Sequence, residues 1–154
     1  MLRRLQTEIA ELDREIAMRA KADDVARRLM TVPGIGPLIA TAIAALAPPP
    51  ETFRSGRDFA AWVGLTPMQR STGGKERLGR TSRMGERTLR RLLIIAAGGV
   101  VRWAKRKGVP AGSWLGRMLA RKPPMLVIVA LANARVAWAL IAKGGIYRAP
   151  AVTA

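Results

Sequence analysis

Apolar residues recur at intervals of three and four along the first part of the chain, which is the spacing of one helical face. Leu2, Leu5, Ile9, Leu12 and Ile16 follow the rhythm of a heptad repeat. The pattern predicts one coiled-coil-like helix over residues 1–30. The stripe is short for an independent coiled coil, so we expect it to pack on another helix, in a partner or in a neighbouring domain.

Proline and glycine divide the next stretch, "MTVPGIGPLIATAIAALAPPP", into a turn and a helix. Pro33 and Gly34 end the first helix, and Pro37 suits the first turn of the second. Apolar residues then repeat at helical spacing until a run of three prolines. Residues 30–47 therefore predict a helix-hairpin-helix motif.

Caps and apolar periodicity indicate further helices. Ser55 and Asp58 have the spacing of a capping box at the start of a short helix, and Gly64 is placed to end it. Another helix is predicted to begin at Glu86 and to reach Trp103, because its leucines and isoleucines recur at helical spacing.

The remainder of the chain also favours helix over strand. A last long helix is predicted over about residues 125–142, and no segment of any length alternates apolar and polar residues as a half-buried strand does. The predicted fold class is all-α: a helical domain over residues 31–148, preceded by the coiled-coil-like helix. From Gly144 onward we expect the chain to fray, with residues 149–154 as a tail.

The composition excludes several kinds of chemistry. The 154 residues carry 27 Lys and Arg against 10 Asp and Glu, a net charge of +17, and there is no cysteine and no histidine. Disulfides, thiolate metal sites and Ser-His catalytic arrangements are therefore excluded. An excess of positive charge this large repels itself unless a polyanion is close, and nucleic acid is the first candidate.

Most of the charge lies in one third of the chain. Residues 70–122 hold 15 basic residues and two acidic ones, a balance of 15 − 2 = +13. Within them lies "QRSTGGKERLGRTSRMGERTLRR", residues 69–91, which holds eight of the Lys and Arg and is called the basic segment below. Charge concentrated in this way indicates the footprint of a polyanionic partner.

The apolar stretch 125–142 raises the question of a membrane span. It contains Asn133 and Arg135, and an arginine deep in a bilayer costs ~3 kcal/mol on insertion scales. A buried helix is therefore favoured. Charges interrupt every short apolar run near the N-terminus, so we expect no signal peptide and a cytoplasmic location. Binding to a membrane surface is disfavoured, since the basic segment lacks an aromatic face.

Gly34 and Gly36 of the "PGIG" turn are candidate nucleic-acid contacts. Glycines let the backbone approach a phosphate closely, and amides at the start of the following helix point at an anion. Such contacts read the sugar-phosphate backbone rather than the bases. The alternative is a tight turn between helices that touches nothing.

Ser71 and Thr72 stand before two glycines, among the arginines of the basic segment. A serine hydroxyl is a poor nucleophile, but nearby cations stabilise an alkoxide and neutralise the oxygens of an attacked phosphodiester. A non-catalytic interpretation is that the two hydroxyls only hydrogen-bond a phosphate or cap a turn. The residue types alone favour this interpretation over a nucleophile.

Four blocks occur in a familiar order: "VPGIGPLIATAIAAL", "FRSGRDFAAWVGLTP", "STGGKERLGRTSRMGERTLRRLLIIAA" and "VALANARVAWAL". Together they resemble the C-terminal domain of insertion-sequence transposases of the IS110 and IS1111 group, which includes IS116 and IS902. The resemblance covers roughly residues 23–148. It implies a DNA recombinase in which this helical domain is joined to a RuvC-like domain.

The resemblance also implies roles for particular residues. The nucleophilic serine of the family falls on Ser71, with Thr72 as its neighbour, and forms a covalent link to DNA. Basic positions that contact DNA fall on Lys75, Arg77, Arg80, Arg83 and Arg87. The family further implies Mg²⁺ held by acids of the RuvC-like domain, and a guide-like RNA encoded by the element.

The chain departs from the family pattern in three ways. The RuvC-like half is missing, and the few acids here show no metal-ligand clustering, so no metal is expected on this chain. Thr81 stands where the family usually has Ile. "LANAR" is two residues shorter than the family block, and two residues turn a helix by about 200°, which predicts a misdirected Arg135. These departures suggest a truncated or decayed copy, or a separately handled domain, that is inactive alone.

Two functions follow from the sequence. The first is the DNA-binding C-terminal domain of a transposase, which supplies Ser71 as the nucleophile when the RuvC-like domain is present. The alternative is a helix-hairpin-helix module that binds nucleic acid without chemistry. Self-association through the heptad stripe is a further expectation.

Overall fold

The computed structural model describes residues 1–70, 74–75, 78–132 and 134–149. The fold over these residues is mostly helical, as the periodicity predicts. Helix α1 spans Leu2–Ala22 and α2 spans Asp24–Leu29. The single helix expected over residues 2–30 is therefore broken. The break is at Asp23, whose carboxylate accepts a hydrogen bond from Ala26 N at 2.9 Å and so caps α2.

The helix-hairpin-helix consists of α2, a turn, and α3 at Pro37–Leu46. Gly36 is the N-cap of α3 and Pro37 is its first residue, as expected. A 3₁₀ turn at Pro50–Thr52 leads to α4 at Gly56–Val63. The predicted cap is confirmed, because Ser55 Oγ accepts from Asp58 N and Gly64 ends α4 in the left-handed conformation.

Two short strands follow α4, where no strand was expected. Strand β1 spans Pro67–Gln69 and β2 spans Leu78–Thr81, and they pair antiparallel with Pro67 opposite Thr81. The pairing is too short to leave an alternating pattern in the sequence, which is why periodicity misses it. Helix α5, Arg87–Lys107, then runs the length of the domain.

The C-terminal part contains three helices rather than one long one. Helix α6 spans Trp114–Arg121, α7 spans Pro124–Leu131 and α8 spans Ala134–Lys143. Helix α6 was not expected, although Ser113 accepts a hydrogen bond from Gly116 N as its cap. The long helix expected over 125–142 is divided because α7 packs on α5 and α6, whereas α8 packs on α4 and α2.

One hydrophobic core joins helices α1 to α5 and α8. Its largest buried side chains come from four helices and from the turn before α3, and they are Leu29, Val32, Ile43, Phe59, Val63, Leu89 and Leu93. Phe59 meets Phe53 edge-on at 5.3 Å between ring centroids and Trp62 at 5.6 Å. The alanines of α3 and α8 let their backbones approach this cluster closely.

The segment after α8 is held to the body of the domain. Tyr147 N donates to Thr31 Oγ1 at 2.8 Å, and the Tyr147 side chain packs against the core. The fraying expected from Gly144 onward is therefore wrong as far as Tyr147. The predicted tail of residues 149–154 lies outside the described residues beyond Ala149.

The stretch Pro124–Lys143 is long and apolar enough to cross a membrane, with a mean hydropathy of 2.0. Within the described residues it is divided by the non-helical Ala132, and Arg135 is exposed on α8. Ala137 and Leu140 of the same helix are buried against the rest of the domain. These features favour a core position, and the absence of a membrane partner stays a prediction.

Helix α4 ends directly against the segment that leads into α5. Glu86 N donates to Trp62 O at 3.1 Å, and Arg90 Nη1 donates to Val63 O at 3.1 Å. Gly64 and Gly85 face each other across this contact, both with positive φ. A Cβ at Gly64 would overlap Met84 O, and a Cβ at Gly85 would overlap Trp62 O. We call this contact the α4–α5 junction.

The junction predicts a large loss of stability for Gly85→Ala. The new methyl group would meet a backbone carbonyl in a left-handed conformation, so we expect the free energy of unfolding to fall by about 3 kcal/mol. Gly74→Ala is the matched control, because Gly74 also has positive φ but open space around it. It should cost about 1 kcal/mol. Equal losses of unfolding free energy for the two variants, measured by urea unfolding, would contradict the close contact at the α4–α5 junction.

Candidate nucleic-acid interface

The β1–β2 hairpin positions the centre of the basic segment. Ser82 N donates to Thr66 O at 2.9 Å, which continues the pairing towards the α4–α5 junction. The Arg70 side chain lies across Gly79, where a Cβ would stand 3.4 Å from Arg70 Nε. The hairpin is therefore held to the domain at its base, beside the start of α5.

Arg83 has an unusual backbone conformation between β2 and α5. Its φ is +53°, the only positive value among the described residues other than glycine. Left-handed conformations of this kind cost free energy and persist only where the surroundings impose them. Here the Arg83 carbonyl carbon packs against Gly64 of the α4–α5 junction. The fold thus holds Arg83 in place instead of letting the chain relax.

Glu86 is the N-cap of α5. Its Oε1 accepts from Thr88 N at 2.8 Å, and this hydrogen bond lowers the pKa of the carboxyl below its ordinary value of 4.5. The carboxylate therefore occupies part of the positive end of α5. A phosphate at this place would have to displace Glu86, so the arginines rather than the helix end offer the free positive charge.

A groove of about 770 Å³ separates the hairpin from α7 and α8. Arg80 of β2, Arg83 and Arg135 of α8 line it, and all three side chains are exposed. Its floor is apolar and includes Leu65, Val129 and Val136, together with Pro67, Leu126, Ala130 and Ala132. We call it the arginine groove.

The electrostatics of the arginine groove favour an anion. In the parts of the chain that the structure describes, the ion pairs are Arg4–Glu8, Arg19–Glu15 and Arg27–Asp24, all within α1 and α2. Guanidinium groups match pairs of phosphate oxygens with two parallel hydrogen bonds. An apolar floor lowers the local dielectric and strengthens each such contact.

A comparison of the sequence with known protein families identifies the family of the chain. Residues 26–109, which run from α2 to just beyond α5, match the family described as Transposase IS116/IS110/IS902. The chain belongs to the IS116/IS110/IS902 transposase family. The resemblance noted from its sequence blocks is thereby confirmed.

Similar proteins extend the likeness over almost the whole of this transposase chain. A Pseudomonas aeruginosa protein described as a family 20 transposase is 46% identical to this chain over 96% of its length. The transposase for insertion sequence element IS1328 of Yersinia enterocolitica is 36% identical over 91%. That for IS1111A of Coxiella burnetii is 34% identical over 91%. The chain spans about two fifths of the length of these relatives.

Only some of the sequence-predicted residues of this transposase chain lie in the arginine groove. Arg80 and Arg83 line the arginine groove. Lys75 is exposed near the far end of the hairpin, and Arg87 is exposed at the first residue of α5. Ser71, Thr72 and Arg77 lie outside the described residues, so their predicted roles stay predictions.

Gly34 and Gly36 lie elsewhere, against the second half of α5. Gly34 has φ +87°, and a Cβ there would stand 2.8 Å from Val100 Cγ2 and 3.0 Å from Ala96 O. Ala96 follows Arg87 by nine residues of α5, a helical rise of about 14 Å. Gly34 and Gly36 do not line the arginine groove, so the helix-hairpin-helix turn is a separate surface.

Sequence reasoning missed Arg135 as a site residue. The shortened "LANAR" block suggested that Arg135 would be misdirected, yet it lines the same groove as Arg80 and Arg83. The break between α7 and α8 resets the helical phase at this point, so the 200° argument for a continuous helix does not apply. The break itself was the signal to look for, since Asn133 interrupts an otherwise apolar stretch.

The described residues do not form a metal site. Among residues 1–70, 74–75, 78–132 and 134–149, no three carboxylates come together. Asp23 caps α2 and Asp24 pairs with Arg27, so both are used by local structure. These residues do not fit a Mg²⁺ ion, and no step of the chemistry is assigned to a metal on them.

The Glu86 cap predicts a pH-dependent loss of stability. Its pKa is lowered in the folded state, so its contribution is complete above pH 4.5 and is lost as pH falls through the lowered value. Glu86→Ala should reduce the free energy of unfolding by about 1 kcal/mol at pH 7. The difference from the unmodified chain should shrink at pH 3 in urea unfolding. A difference that is the same at both pH values would contradict the cap.

Proposed function

We propose that this chain is a DNA-binding domain of an IS116/IS110/IS902 transposase and that the arginine groove holds the DNA backbone during transposition. Membership of a transposase family implies DNA as the partner. The observation that carries the proposal is the convergence of Arg80, Arg83 and Arg135 from a strand, a loop and a helix.

The arginine groove is better suited to binding a phosphodiester than a flat basic surface would be. Three arginines that line one cleft from a strand, a loop and a helix would allow neighbouring phosphates to be held. Such contacts carry no base sequence. The domain would therefore position the DNA, and recognition of a particular target would come from another element.

Ser71 is our proposed nucleophile, with Thr72 as the alternative. Support comes from the family membership and from the connectivity, because Ser71 follows the end of β1 by two residues and Arg80 lies on the paired strand β2. Fixed cations would stabilise the alkoxide of the attacking serine and the charge on the attacked phosphate. Lys75, Arg77 and Arg87 are proposed as further phosphate contacts.

The complete transposase needs groups that the described residues lack. We propose that a RuvC-like domain supplies carboxylates for Mg²⁺, and that a guide-like RNA from the element selects the DNA. On this proposal the present chain binds DNA but does not cleave it. Its expected location is the cytoplasm, where the DNA of a bacterial element lies.

A non-catalytic helix-hairpin-helix module is the second candidate. The observation in its favour is that, among the described residues, no backbone hydrogen bond uses Gly34 N or Gly36 N. These amides are therefore available to a phosphate. This candidate predicts that DNA binding needs the hairpin and that Ser71 is dispensable for every activity.

The heptad stripe of α1 leaves room for a partner helix. Its leucines and Ile9 are exposed, with Leu2 at 78% and Ile9 at 57%. Helix α1 contacts α2 and α3 only near its C-terminal end, where Ala20 is buried. Self-association, or packing on a neighbouring domain, thus stays a prediction.

Replacing Arg80, Arg83 and Arg135 together by Gln should weaken duplex DNA binding and flatten its salt dependence. For every phosphate that is no longer neutralised, the slope of log Kd against log salt should fall by about 0.9. Fluorescence anisotropy with a labelled duplex at several salt concentrations measures both quantities.

Two controls sharpen this test. Gln at Arg3, Arg4 and Arg14 removes the same charge from α1 and should change the slope far less. Lys at the three groove positions keeps the charge, so the slope should hold while affinity falls through loss of the guanidinium fork. Equal effects of the groove and α1 replacements would contradict the arginine groove.

In a complete transposase that also carries the RuvC-like domain, Ser71→Ala should abolish strand transfer and leave DNA affinity unchanged. Thr72→Ala should retain strand transfer. Gel analysis of recombination products and of the protein-linked DNA strand tests both variants. Strand transfer by Ser71→Ala would refute the nucleophile and favour the non-catalytic module.

A further inference from the structure

A second groove, of about 700 Å³, runs between the helix-hairpin-helix turn and α5. The turn contributes one wall through Pro33–Leu38, and α5 contributes the other through Ile95–Trp103. We call it the hairpin groove. It shares no lining residue with the arginine groove and so is distinct from it.

Two glycines of the hairpin groove, Gly36 and Gly99, are not required by the fold. Gly34 is required, because its φ is positive and a Cβ would press on α5. Gly36 has φ −91°, which any residue adopts, and a Cβ there would meet nothing within 4 Å. Gly99 lies inside α5, where glycine costs stability relative to alanine, and it too faces open space. Both positions keep the groove clear, which suits the close approach of a ligand.

Trp103 is an exposed aromatic side chain at the end of the same groove. It is 58% exposed, and Leu38 and Ile95 beside it are 55% and 53% exposed. The chain has seven aromatic residues. Five of them pack in or against the core, namely Phe53, Phe59, Trp62, Trp138 and Tyr147. The packing of the domain therefore does not explain the position of Trp103.

The charge around the hairpin groove is positive. Arg102 lines it, and Lys105, Arg106 and Lys107 complete the last turn of α5. The unused amides of Gly34 and Gly36 add partial positive charge from the opposite wall. An apolar platform flanked by cations is the arrangement that binds unpaired bases, which stack on an aromatic ring while the phosphates meet the charges.

We infer that the hairpin groove binds a nucleotide of single-stranded DNA, with its base stacked on Trp103 and its phosphate between Arg102 and the Gly36 amide. The lining contains glycine, proline, alkyl side chains, Trp103 and Arg102, with no hydroxyl, amide or carboxylate side chain. Nothing in it would select a ribose 2′-hydroxyl, so the groove gives RNA no advantage over DNA. The inference rests on the proposed function, because a transposase exposes unpaired DNA when strands are cut and exchanged.

Trp103→Ala should weaken binding of a labelled oligothymidylate by roughly 5- to 100-fold, the range that stacking of one base supports. Trp103→Phe should retain most of the affinity. Trp114→Ala is the matched control, because Trp114 is 43% exposed on α6 and does not line the groove. An oligonucleotide of abasic sites should bind the unmodified chain and Trp103→Ala equally.

Gly99→Ala separates binding from folding. Gly99→Ala should raise the melting temperature and yet weaken oligothymidylate binding, because the methyl group enters the groove. Gly98→Ala is the control on the same helix, since its Cβ would face α7, 3.9 Å from Ile128 Cδ1, and Arg102 Nη1 at 3.6 Å. It should weaken binding far less than Gly99→Ala, because 3.6 Å is an ordinary contact distance that leaves the Arg102 guanidinium in place.

Three results would overturn the inference. One is full oligothymidylate affinity in Trp103→Ala and Gly99→Ala. Another is tighter binding of oligouridylate than of oligothymidylate that depends on Trp103. The third is a change in the oligomeric state of Trp103→Ala, measured by light scattering, while its DNA affinity stays intact. That result would make the groove a protein interface. The arginine-groove variants test the proposed function separately, because they should lose duplex binding whatever Trp103 does.

Discussion

The contact between the end of α4 and the start of α5 is the constraint on which the rest of the structure depends. Two hydrogen bonds to the last carbonyls of α4, from Glu86 N and Arg90 Nη1, join the aromatic core to the basic segment. Gly64 and Gly85 allow the two backbones to meet, since neither position has room for a Cβ. Because Phe59 and Trp62 lie on α4, the basic segment is anchored to the aromatic cluster of the core. Arg83 is thereby held in a left-handed conformation at the mouth of the arginine groove.

The anchoring of the basic segment bears on the charge repulsion that the composition implies. A net charge of +17 on 154 residues repels itself, and a loose basic segment would spread to reduce the repulsion. The fold instead holds arginines from a strand, a loop and a helix around one cleft. A polyanion that neutralises these arginines would relieve their repulsion, so on the proposed function DNA binding should stabilise the domain. Helix α5 begins directly after the basic segment and lines the hairpin groove with its second half.

The sequence predicts the parts of the fold that local chemistry determines. The Ser55 cap, the left-handed Gly64 and Pro37 at the start of α3 were all expected, because each depends on residues within one turn. The break at Asp23, the β1–β2 hairpin and the α7–α8 break were not, since each depends on what the chain packs against. The residues of the arginine groove show the same division between local sequence and long-range packing. Arg80 and Arg83 were expected from a sequence block, whereas Arg135 belongs to the groove only because α8 packs beside the hairpin.

The central claim is that the arginine groove is the surface that meets DNA. The most direct measurement is the ¹⁵N spectrum of the arginine side chains during titration with a short duplex. The Nε–Hε signals of Arg80, Arg83 and Arg135 should move together and reach saturation at one stoichiometry, while those of Arg3 and Arg14 on α1 stay in place. Movement of the α1 signals with the groove signals unchanged would contradict the account.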